Sequence, residues 1–155
     1  MTIEIIDEYV GRVRYTVSEL AAIAPRRFPV QERVSGVTGN AFDWLAWYEA
    51  WVRAQQVEPG RTPTRLEVEG ADEFQAGIPW SELKQALVLY EQEDGSPLAK
   101  GYPIRLYVPG GSSECLNVKS VVRIRMLYDE EAAEKAATYG FKNTITPEQL
   151  LKPRS

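Results

Sequence analysis

Three tryptophans, Trp44, Trp47 and Trp51, fall at i, i+3 and i+7 between Ala41 and Gln55, with Leu45, Tyr48 and Val52 beside them. On a helix of 3.6 residues per turn this spacing makes one broad apolar face. Asn40 is the expected N-cap, and Asp43 falls in the first turn, where a carboxylate suits the helix dipole. A face this aromatic has to be covered. It either packs on a sheet, as large aromatic side chains commonly do, or lines a groove for a ligand or partner.

The remaining sequence supplies material for a sheet. Ile3 to Tyr15 is rich in β-branched and aromatic residues, and Val13 and Tyr15 alternate with Arg12 and Arg14 as in a half-buried strand. Thr16 and Glu19 have capping-box spacing, predicting a short helix through Leu20 to Ile23 that stops at Pro25. Short strands are expected at Phe28–Val34, Arg65–Glu69, Leu87–Tyr90 and Ile104–Val108, and a long one at Val118–Leu127. Phe74–Trp80 reads as extended, with Pro79 marking an edge or bend, and Ser81 as the cap of one helical turn. Asp129–Ala137 is alanine- and glutamate-rich and predicts a helix, and Thr146-Pro147-Glu148 begins a last short one. The expected class is α+β: one β-rich mixed domain over residues 1–155, with short flanking helices.

Composition excludes several functions. The net charge of −4 argues against a general nucleic-acid binder. No apolar run approaches the roughly 20 residues that span a bilayer. Met1 to Glu8 lacks a basic region followed by an apolar stretch, so the cytoplasm is the expected compartment. The chain has no histidine, which removes histidine-based triads, zincin sites and imidazole proton shuttles. Its one cysteine, Cys115, cannot form an internal disulfide.

The charges are unevenly spread. Lys100 to Leu127 holds five cations, Lys100, Arg105, Lys119, Arg123 and Arg125, against Glu114 alone, whereas Glu67 to Asp94 holds eight acids against Lys84. Such stretches either pair as oppositely charged neighbouring strands or build an anion site. Within the basic stretch, Gly110-Gly111-Ser112-Ser113 precedes Lys119 by a few residues. Glycines let backbone amides turn toward an anion, serine hydroxyls add donors, and lysine supplies a point charge. The same loop also serves as a plain hairpin connection. Cys115 is either a soft metal ligand or a small buried hydrophobe. Acid–base chemistry would fall to Asp72, Tyr102 or Tyr107, although Asp72 equally suits a turn in which it bonds its own backbone.

Four segments, in order, resemble the molybdopterin-binding domain of the sulfite oxidase family. They are Ala71–Pro79, an acidic turn leading into a strand; Ala86–Tyr90 followed by Asp94-Gly-Ser-Pro-Leu98; Gly101-Tyr-Pro-Ile-Arg-Leu-Tyr-Val-Pro109; and Asn117-Val-Lys-Ser-Val-Val-Arg-Ile124. The third is the most specific, and the resemblance runs over residues 65–126.

The resemblance implies a molybdopterin scaffold whose phosphate pocket would use Arg105, Gly110, Gly111, Ser112, Ser113 and Lys119. It also marks departures. Where the family carries its molybdenum-binding cysteine near a Gly-Asn-Arg motif, this chain has Gly39-Asn40 with no arginine after it and no cysteine nearby. Glu114, Leu116 and Ser120 replace residues usual around the cofactor loop. The implied function is a reduced, non-catalytic relative that binds molybdopterin or another anionic small molecule. Its rivals are an active molybdenum oxidoreductase that uses Cys115 as metal ligand, and an interaction module that binds a partner or a second copy of itself.

Overall fold

The computed structural model describes residues 1–58, 60–133 and 135–141. The predicted final helix at Thr146–Glu148 lies outside the described residues. The fold is a β-rich α+β arrangement of two sheets and short helices.

The N-terminal segment is a hairpin rather than one strand. β1 (Ile3–Asp7) turns back into antiparallel β2 (Gly11–Tyr15). Asp7 holds the turn, its Oδ1 accepting from the amides of Tyr9 and Val10 at 2.8 and 3.1 Å. Helix α1 (Val17–Ile23) follows with the predicted capping box. Thr16 Oγ1 accepts from the Glu19 amide at 3.2 Å, and the Thr16 amide donates to Glu19 Oε1 at 2.9 Å.

β3 (Arg27–Pro29) is shorter than expected and passes into a 3₁₀ turn at Val30–Glu32. The helix expected from Ala41 begins at α2 (Trp44–Ala54), because residues before it form β4 (Asn40–Asp43). Asn40 therefore does not cap. Its side chain donates to Glu91 Oε2 across the sheet, and Asp43 caps instead, accepting from the Ala46 amide at 2.8 Å. β4 lies between β3 and β7 (Leu87–Glu91), and β8 (Arg105–Tyr107) completes a four-stranded antiparallel sheet in the order β3-β4-β7-β8.

β5 (Arg65–Gly70) and β6 (Phe74–Pro79) join β9 (Val121–Leu127) and β10 (Thr138–Phe141) in a six-stranded sheet of order β10-β6-β5-β9-β1-β2, in which only β1 and β9 run parallel. β6 is an inner strand with Pro79 at its end, and the 3₁₀ turn after it, Trp80–Glu82, has no side-chain cap, so Ser81 does not play that part. The predicted Val118–Leu127 strand is broken at Ser120, whose φ is +54°, leaving β9 (Val121–Leu127) and a single bridge at Val118. The Asp129–Ala137 helix shrinks to α3 (Glu130–Ala133), and β10 (Thr138–Phe141) follows it.

Arg65 explains that shortening. This buried side chain donates to the carbonyls of Gly77, Lys135 and Ala136 and to Thr138 Oγ1, pinning an extended segment against β6.

One core takes residues from both sheets and from both longer helices. Ile3, Ile5, Val68 and Ile124 meet Phe42, Val88 and Leu106, with Leu20 and the three tryptophans above them. The tryptophan face is thus a core anchor. The rings stack at 5.2 and 5.5 Å between centroids. Trp47 Nε1 donates to the Leu20 carbonyl at 2.8 Å and Trp51 Nε1 to Tyr15 Oη at 2.7 Å, so two buried indole donors are satisfied. The other face of the four-stranded sheet buries a second cluster, including Phe28, Leu87, Leu89 and Tyr107. Burial on both faces accounts for the unbroken apolar run Leu87–Tyr90.

The acidic and basic stretches pair across strands. Glu67 stands opposite Arg125 and Glu69 opposite Arg123 in the β5–β9 register. Arg123 bonds both Glu69 and Glu4, and Glu4 also receives Arg12 and Arg14, linking β2, β1, β9 and β5. Burial pushes the Glu4 carboxyl up, but the Arg123 hydrogen bond and the charges of Arg12, Arg123 and Arg14 together hold it below the usual carboxylate range. Among the described residues, no helix is long and apolar enough to cross a membrane.

Candidate functional site

The two segments expected to form the site are hydrogen-bonded neighbours. Leu106 and Val118 exchange backbone bonds of 2.8 and 3.0 Å, which sets Arg105 and Lys119 beside each other along the backbone. Between them the chain makes a compact excursion. Gly110 has φ +74°, which suits glycine, and the Gly111 amide closes a turn on the Val108 carbonyl at 3.0 Å. Asn117 Oδ1 accepts from the Val108 amide at 2.8 Å and braces the base of the loop.

Part of the loop's hydrogen-bonding capacity is engaged within the protein. The Ser112 amide donates to Glu82 Oε1 at 2.7 Å, and the Cys115 amide donates to Ser113 Oγ at 3.1 Å. A carboxylate from the 3₁₀ turn after β6 thus stands where the sequence suggested a bound anion. Glu82 lies far from the loop in sequence, and nothing in the glycine–serine pattern could have disclosed it.

Arg105 and Lys119 face different surroundings. The Arg105 stem crosses Gly101, where a Cβ would come within 2.5 Å of its Cδ, and its guanidinium lies 5.1 Å from the centre of the Tyr107 ring. That is a cation–π contact on the side of the second apolar cluster. Lys119 instead lines a recess of about 250 Å³ with Asp72, Phe74, Cys115, Asn117 and Phe141. Among the described residues no ion pair within 4.0 Å involves Lys119.

Cys115 and Lys119 are therefore brought together, whereas Arg105 and the loop amides are not. Cys115 is exposed, which overturns the buried-hydrophobe reading. Among the described residues, no three cysteine, aspartate or glutamate side chains are grouped so as to hold a metal ion. Asp72 makes the expected turn, its Oδ1 accepting from the Phe74 amide at 3.2 Å, and also borders the recess. Phe74 and Phe141 meet edge to face at 5.3 Å and form its apolar wall. The volume is below the range of about 300–1,000 Å³ usual for small-molecule sites, so the recess has room for a small group or one ring.

A larger cleft of about 640 Å³ opens between α1, the end of β7 and the connection from β7 to β8. Arg27, Tyr90, Glu91 and Tyr102 border it. Sequence reading singled out Tyr102 alone among these.

Compared with known proteins, the chain matches no protein-family model and no curated sequence.

Proposed function

We propose that this chain is a binding domain without redox catalysis: a reduced relative of the molybdopterin-binding domain that holds a small anion beside Lys119, the phosphate end of molybdopterin being the ligand the resemblance suggests. The observation that carries this reading is the state of the cations. Arg123 and Arg125 face carboxylates and Arg105 lies on a tyrosine ring, whereas Lys119 lines a recess that also holds Asp72 and makes no ion pair within 4.0 Å among the described residues; Lys100 does not line that recess. The lack of histidine and of a cysteine near Gly39-Asn40 supports binding over catalysis.

The test is cofactor analysis of protein made in a host that synthesises molybdopterin. Oxidised pterin fluorescence, phosphate and molybdenum are measured for the wild type, Lys119→Ala and Cys115→Ser. Pterin without stoichiometric molybdenum, lost in Lys119→Ala at unchanged thermal stability, is the expected result. Molybdenum at one per chain that disappears in Cys115→Ser would replace this reading with the oxidoreductase one. Absence of both pterin and metal from the wild type would end it.

A further inference from the structure

We infer that the cleft between α1 and the β7–β8 connection is a second binding site, separate from the Lys119 recess, and that it takes a small aromatic zwitterion of the aromatic amino-acid type. Its volume of about 640 Å³ lies within the usual range for small-molecule sites. Part of its lining is apolar: Val17 and Ala21 from α1, and Pro97 and Pro103 from the β7–β8 connection. Tyr102, with 40% of its surface exposed, offers a ring at the rim, and Tyr90 buries its ring beneath. A flat aromatic body fits between such surfaces.

Both signs of charge are present and do not neutralise each other. Arg27 donates twice through Nη1, to the Ala21 and Ala24 carbonyls at 3.0 and 3.3 Å, and its other guanidinium nitrogens have no protein partner among the described residues. Glu91 accepts from Asn40 through Oε2, leaving Oε1 without a protein partner among the described residues. No ion pair within 4.0 Å joins Arg27 to Glu91. The Tyr90 hydroxyl feels both: burial and the Glu91 charge raise its pKa, and the Arg27 charge opposes them. A ligand with a carboxylate for Arg27 and an ammonium for Glu91 would satisfy the cation and the anion at once, which a singly charged ligand cannot do.

Three probes that share the indole and its two-carbon chain but differ in their charged groups test this: L-tryptophan, tryptamine and indole-3-propionate, read by saturation-transfer NMR and calorimetry on the full chain. L-tryptophan should bind about tenfold more tightly than either analogue, a difference of about 1.4 kcal/mol. Glu91→Gln should bring L-tryptophan down to indole-3-propionate. Ala22→Trp, which places a ring in the cleft from an exposed helix position, should abolish binding of all three, with circular dichroism confirming the fold. Lys119→Ala should change none of them, so failure of the anion recess leaves this result standing. Equal affinity for the three probes, binding that survives Ala22→Trp in a folded protein, or no saturation transfer from any probe would overturn the inference.

Discussion

Replacing Glu4 with glutamine tests whether the charge network that absorbs the basic residues also holds the six-stranded sheet together. Glu4 is 5% exposed and receives Arg123 at 2.9 Å, Arg12 at 3.2 Å and Arg14 at 3.3 Å. The side chains of Arg12 and Arg14 are 59% and 70% exposed, so their pairs are screened and count for little. Arg123 is less exposed and is shared with Glu69, so most of the effect comes from its bond. Glutamine keeps the shape and one acceptor but removes the charge. The loss of one charge-assisted hydrogen bond in a half-buried site is about 2 kcal/mol. For a chain of this length that lowers the melting temperature by about 4–8 °C.

The pH dependence separates this cause from a packing defect. Because the folded pKa of Glu4 is lowered, its contribution is complete above the unfolded value and fades as pH falls through the folded one. Urea unfolding followed by tryptophan fluorescence should show the full gap between wild type and Glu4→Gln at neutral pH. The gap should narrow below about pH 4.3, the usual glutamate pKa. A gap that stays constant down to about pH 3.5, or grows on acidification, would refute the electrostatic reasoning. No gap at pH 7 would show that the network contributes nothing net.

Two further outcomes follow from the geometry. Gly39→Ala should destabilise the protein by about 2 kcal/mol or more, seen as a lower urea midpoint, since Gly39 has φ +130° and an added Cβ would lie 2.6 Å from the Glu91 carbonyl oxygen. A midpoint unchanged from wild type would show that the β4–β7 contact yields readily. Arg65→Lys keeps the charge but not the planar fork that reaches Gly77, Lys135, Ala136 and Thr138. Amide exchange at Thr138–Phe141 should quicken about tenfold, the equivalent of about 1.4 kcal/mol, while β9 amides keep their protection; equal acceleration in both would contradict the local role.

Features set by neighbouring residues were legible in the sequence, and those decided by distant partners were not. The Thr16–Glu19 capping box is complete within four residues and forms as read. The tryptophan spacing made one helical face whatever covered it, and the core covers it. The charge alternation in β5 and β9 gave the Glu67–Arg125 and Glu69–Arg123 pairs once those strands lay side by side. Asn40 looked like a cap because its local context suits one, but pairing with β3 and β7 holds residues 40–43 extended and moves the cap to Asp43. Alanine and glutamate favour helix over 129–137, yet Arg65 captures the carbonyls of 135 and 136 and draws the chain into β10. Cys115 and Lys119 reach one recess because only a short turn separates them, whereas Arg105 lies on the Tyr107 side of its strand. The cleft is not legible in the sequence because Arg27, Glu91 and Tyr102 come from three separate segments that only the fold brings together.

The basic stretch therefore carries less binding power than its composition suggests. Of its five cations, Arg123 and Arg125 face glutamates across the strands, Arg105 stacks on a tyrosine, and Lys100 is exposed and does not line the recess. Lys119 remains beside a recess, and a single exposed lysine contributes only about 0–1 kcal/mol to an ion pair in water. Charge alone cannot hold a ligand there at useful affinity. The additional free energy has to come from excluding water between the ligand and Phe74 and Phe141, which strengthens the Lys119 contact as it buries apolar surface. Arg65 ties down the segment that delivers Phe141 to this wall, so the proposed anion site would depend on the same guanidinium that cuts α3 short. An anion attached to a flat ring meets both requirements at once, and a free anion meets only the weaker one.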